Sequence, residues 1–132
     1  MLMKVFPHGT GEGDKPSRYL VRPDYPGRDT APPQVLRGDP AMTRALVDSI
    51  ERRWKFTSGV LSWHPDDKVS EEQEEEVMDA FEQVAFAGLE ADQRNILWVR
   101  HTHAGHHELH FLIPRLELSS GKDFNACPPG WQ

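Results

Sequence analysis

Cysteine is almost missing from this sequence. The single thiol, Cys127, excludes an intrachain disulfide, and a chain without disulfides fits a reducing compartment. Long hydrophobic runs are missing too. None approaches the roughly 20 residues a membrane-spanning helix needs, so no membrane segment is read here. No secretory signal opens the chain, because "MLMKVFPHGTGEG" turns polar too early. Internal repeats and a domain boundary are also lacking, so the 132 residues read as one domain with a modest core. Positive charge is in deficit. A net charge of −6 argues against a simple nucleic-acid binder.

The deficit is uneven. Residues 1–55 carry ten Lys/Arg against seven Asp/Glu, whereas residues 56–132 carry five against fourteen. The N-terminal half can therefore receive a polyanion. The acid is concentrated in "DDKVSEEQEEEVMDAFE", which reads as the solvated face of a helix.

Periodicity gives the elements. "LMKVF", "QVLRG" and "KFTSGVLSW" read as strands, and "SRYLVR" as the start of a short helix. Asp39-Pro40 is a helix start, followed by an apolar stripe of Met42, Leu46, Ile50 and Trp54. Ser70 and Gln73 form a capping box ahead of Val77, Met78, Phe81, Val84, Ala85 and Leu89. "NILWVRHTH" and "HELHFLIPRLEL" are two strands around Ala104-Gly105, and "DFNA" is read as the start of one more. The order predicts an α/β fold: a central, largely antiparallel sheet with helices packed on it.

Five of the seven histidines lie in "RHTHAGHHELHF". Side chains alternate faces along a strand. A hairpin closing at Ala104-Gly105 sets His101 opposite Glu108 and Val99 opposite His110, so His101, Glu108 and His110 share one face. A slip of one residue would scatter them. Two imidazoles and a carboxylate suit a divalent metal: Mn, Zn, Co or Ni, and Mg less well because it prefers oxygen. A polar hairpin face without any ion is equally consistent with the pattern. His106 and His107 fall beside the turn and read as exposed bystanders.

"ILWVRHTHAGHHELHFLIPRLELSSGK" resembles the catalytic segment of mobilization relaxases of the colicin-plasmid type, whose pattern is ILWVEH…G-x-x-ELNFLIPNxELxTGK. "KVFPHGTGEGDKPSRYLV", "KFTSGVLSW" and "FEQVAFAGLEADQRNILWV" resemble the family's start and middle, so the likeness runs from about Met3 to Pro129. It implies a relaxase sandwich of the His-hydrophobic-His endonuclease kind. It also implies that residues 1–132 are a single catalytic domain, the N-terminal part of a longer protein. The family's metal triad follows H-x6-E-x-N, which falls on His101, Glu108 and His110, with His in place of Asn. That departure favours manganese or another transition ion over magnesium.

The resemblance implies a nucleophile at Tyr19, with Tyr25 as the alternative phenol. Attack on a backbone phosphate of single-stranded DNA at a plasmid transfer origin would leave a 5′-phosphotyrosine and a free 3′-OH. His103 is a candidate second-shell group or proton acceptor. Lys15, Arg18, Arg22 and Arg28 surround Tyr19 and are candidate phosphate contacts. Trp54, Trp63 and Trp98 are candidate stacking platforms by residue type, although the stripe places Trp54 in the core. The implied setting is the bacterial cytoplasm, with accessory mobilization proteins and the conjugative coupling and secretion machinery as partners. Two rivals stand beside this reading. One is a metal-dependent hydrolase that forms no covalent adduct. The other is a non-catalytic DNA- or metal-binding module.

Overall fold

The computed structural model describes residues 1–7, 9–10, 32–102 and 105–127. The helix start expected at "SRYLVR" lies outside them. Five strands form one sheet: β1 (Leu2–Val5), β2 (Gln34–Arg37), β3 (Phe56–Ser62), β4 (Leu97–His101) and β5 (Glu108–Pro114), in the order β1-β3-β5-β4-β2. Every neighbouring pair is antiparallel. The longest strands, β3 and β5, sit centrally or next to the centre, so β5 is paired along both edges. No strand forms at "DFNA"; after Pro114 the chain turns through residues 118–120 and continues without regular structure to residue 127.

Two α-helices pack on the sheet. In α1 (Pro40–Ser49) the Asp39 side chain caps the first turn by accepting from the Ala41 N–H at 3.0 Å. The buried residues are Thr43, Val47 and, at the C-cap, Ile50, so the stripe differs from the predicted one. Met42 is exposed. The helix stops at Ser49 with Ile50 in extended geometry, so Trp54 has left the helical register and is exposed, with the Arg53 guanidinium 4.7 Å from its ring. The buried face is shifted by one residue because Thr43 can satisfy its hydroxyl on Asn95 Oδ1, at 2.7 Å.

In α2 (Glu71–Ala85) both halves of the Ser70/Gln73 capping box are present. Its buried face is Glu74, Met78, Phe81 and Ala85, spaced by four, three and four residues. Val84 falls off this face and is exposed, while Leu89 packs on the core from beyond the helix end. Met78 and Phe81 join Trp98, Leu109, Phe111 and Ile113 in the main core cluster. Phe81 meets Phe111 with ring centroids 4.5 Å apart, and Trp98 edge-on at 5.3 Å. The opposite sheet face holds a smaller apolar cluster of Leu97, Val99 and Leu112.

Candidate metal centre

The register of β4 and β5 builds the site. His101 pairs with Glu108 and Val99 with His110, and directly opposed residues point the same way. The three polar side chains therefore emerge on the face away from α2, at the end of the Leu97, Val99 and Leu112 patch. One ligand atom from each of His101, Glu108 and His110 lies within 4.8 Å of the others. The two imidazole centroids are 4.3 Å apart, with planes tilted by 38°. His101 is only 2% exposed, while Glu108 and His110 are half-buried at the site's mouth. Two nitrogen donors and a carboxylate, converging from strands fixed by pairing on both sides, fit a divalent cation by donor chemistry.

Glu108 is held from two directions. The His110 ring donates to Oε1 at 3.0 Å, and the His106 ring to Oε2 at 2.7 Å. Burial pushes the Glu108 carboxyl up, but these two hydrogen bonds outweigh it and hold the group below the usual carboxylate range.

His106 and His107 are not exposed bystanders. Beyond its bond to Glu108, His106 is part-buried. His107 donates to Glu74 Oε2 at 2.6 Å and receives the edge of Trp63, at 5.4 Å between centroids. The acidic run is not wholly a solvated face either. Glu74 is 2% exposed and takes Arg100 through both Nε (2.7 Å) and Nη2 (2.5 Å). Burial pushes its carboxyl up, and the bonds from Arg100 and His107 overcome this and bring it below its ordinary value. Glu75, Asp79 and Glu82 from the same helix converge on Arg37.

The structure brings together His101, Glu108 and His110. Tyr19, Tyr25, His103, Lys15, Arg18, Arg22 and Arg28 lie outside the described residues. Of the tryptophans, Trp98 is fully buried and donates to Glu82 Oε2, so it offers no stacking face. Among the described tryptophans Trp54 is the exposed one, against expectation. The sequence assigns no role to Glu74 or Arg100, and its turn signal takes His106 and His107 for exposed bystanders. A signal existed for Glu74: it lies four residues before Met78 on the apolar stripe, a buried position that an acid occupies only with partners. Arg100 and His107 each precede a site residue, so alternation sends them to the α2 face.

A family model described as the relaxase MobA/VirD2-like nuclease domain matches residues 39–129, more than half of the chain. The chain belongs to this family. Two relatives extend the match. Cryptic plasmid protein C of Neisseria gonorrhoeae is 43% identical over 122 residues, covering 92% of this chain and 58% of that protein. DNA relaxase MbeA of Escherichia coli is 39% identical over 122 residues, again 92% of this chain but 23% of its own length. The relaxase nuclease domain described here therefore spans less than two thirds of either relative. Among the described residues, no helix is long and apolar enough to cross a membrane.

Proposed function

We propose that this relaxase domain is a metal-dependent, strand-specific nicking transesterase that opens single-stranded DNA at a plasmid transfer origin and so starts conjugative mobilization. The observation carrying the proposal is the convergence of His101, Glu108 and His110 on paired strands of a relaxase nuclease domain. His101, Glu108 and His110 would hold a divalent ion, which would supply Lewis-acid polarisation of the scissile phosphate and offset its developing charge. With a second imidazole, His110, in place of an amide oxygen, manganese, cobalt, nickel or zinc is favoured over magnesium.

The phenol oxygen of Tyr19 is the proposed nucleophile. It forms a bond to phosphorus as the bond from phosphorus to the 3′ oxygen breaks, giving a 5′-phosphotyrosine and a 3′-OH. A free tyrosine has a pKa of about 10, so its proton must leave during attack; His103 is the proposed acceptor. The 3′ oxygen takes up a proton as it departs. Lys15, Arg18, Arg22 and Arg28 are proposed to hold neighbouring phosphates and fix the line of attack. The covalent link conserves the bond energy, so the strand can be rejoined after transfer. Accessory mobilization proteins and a conjugative coupling apparatus are the partners this activity requires.

The test is a denaturing gel of labelled single-stranded DNA from the cognate transfer origin, incubated with Mn²⁺ and either wild type or Tyr19→Phe. A slower, protease-sensitive band present only with the wild type is expected. Cleavage by both proteins without a covalent band would replace the proposal with metal-dependent hydrolysis.

A further inference from the structure

We propose that Glu74, on the far side of the sheet, is a positioning residue for the His101, Glu108 and His110 centre; the inference rests on the metal-site reading above. Its carboxylate holds a residue of β4 and the residue that leads into β5. Oε1 accepts from Arg100 Nη2, and Oε2 accepts from Arg100 Nε and from the His107 ring. Arg100 immediately precedes His101, and His107 immediately precedes Glu108. His101 and Glu108 are themselves direct cross-strand partners. One buried carboxylate therefore ties together the side chains of the residues that precede each member of the first ligand pair, from behind. The mouth of the hairpin is tied again by the Trp63 N–H, which donates to the His107 carbonyl at 3.0 Å.

The clamp has a geometric purpose that general stability does not require. Replacing a buried charged cluster by apolar side chains is often neutral or stabilising, so such a cluster is a weak source of fold energy. Metal donors, by contrast, must be held within about 0.5 Å of their working positions. The hairpin between His101 and Glu108 spans six residues, and Gly105 within it adopts a φ of +84°, a conformation that most side chains resist. Strand pairing sets the register of the two ends, but the ladder stops at this pair and the turn beyond it adds no further support. Glu74 adds a tie from both ends to α2.

The experiment is a Co²⁺ titration of the full chain, read both as affinity and as the d–d absorption spectrum, which reports ligand geometry. The variants are Glu74→Gln, which keeps the shape and loses the charge, and Ser70→Ala, which weakens the same helix at its cap without touching the clamp. Glu74→Gln is expected to lower Co²⁺ affinity by about tenfold or more and to change the spectrum, while Ser70→Ala lowers Tm and leaves both readings as in the wild type. Should Glu74→Gln fail to fold, His107→Leu, which has no donor, removes one arm of the clamp and is expected to change the spectrum in the same sense. Wild-type affinity and spectrum in a folded Glu74→Gln, or in His107→Leu where that variant stands in, would overturn the inference. A wild type that binds no Co²⁺ would instead sink the metal-site reading, and this inference with it.

Discussion

His110 is the residue at which this domain departs from the H-x6-E-x-N pattern that its sequence otherwise resembles. An amide oxygen is a hard, neutral donor, whereas imidazole nitrogen suits transition ions. Its ring stands 4.3 Å from that of His101 and donates to Glu108, so the substitution sits inside the cluster rather than beside it. His110→Asn is expected to shift the preference between Mn²⁺ and Mg²⁺ toward Mg²⁺ by on the order of tenfold, measured by competing the two ions in a binding titration. An unchanged ratio would mean that position 110 does not contact the ion. The same scale shows what a sequence conceals. Strand alternation was enough to group His101, Glu108 and His110. It said nothing of Glu74, because the pairing of an acid at one position with Arg100 and His107 far along the chain is set by how α2 lies on the sheet. His106 was misjudged for a related reason: closeness to a turn suggests solvent, yet Glu108 is within its reach.

Element by element, strands were easier to read than helix faces. A strand has two faces and a hairpin of even register fixes both, so β4 and β5 pair as their alternation predicts. A helix offers a continuous circle of faces, and in α1 the apolar residues Met42 and Leu46 drew the stripe one position from the buried Thr43 and Val47. The difference was invisible without Asn95, the partner that makes Thr43 acceptable inside. In β3 the informative residue is Gly59. It lies opposite Phe111 on one side and Val5 on the other. A Cβ there would come within 2.5 Å of both the Lys4 carbonyl oxygen and the Phe111 ring. Phe111 is fully buried and cannot retreat from Phe81 and Trp98 without disturbing the main core. Gly59→Ala is therefore expected to cost about 1–3 kcal/mol, seen as a lower urea midpoint. Unaltered stability would show that the ring does not rest on the glycine.

On the scale of the whole molecule, the sheet separates two tasks. One face meets α2 and carries the larger apolar core, and part of the acidic excess is neutralised there by Arg37 and Arg100. The other presents the His–Glu–His cluster above a smaller apolar patch. The uneven charge of the sequence follows this division in part: the acid run belongs to α2, behind the sheet from the candidate centre. The central claim is that His101, Glu108 and His110 together bind one divalent ion. Crystals of the domain soaked in Mn²⁺, with diffraction collected at the manganese edge, test it most directly. A single strong anomalous peak is expected at about 2.0–2.2 Å from one donor atom of each of the three side chains. A well-ordered site with no peak, or a peak bound by other residues alone, would contradict it.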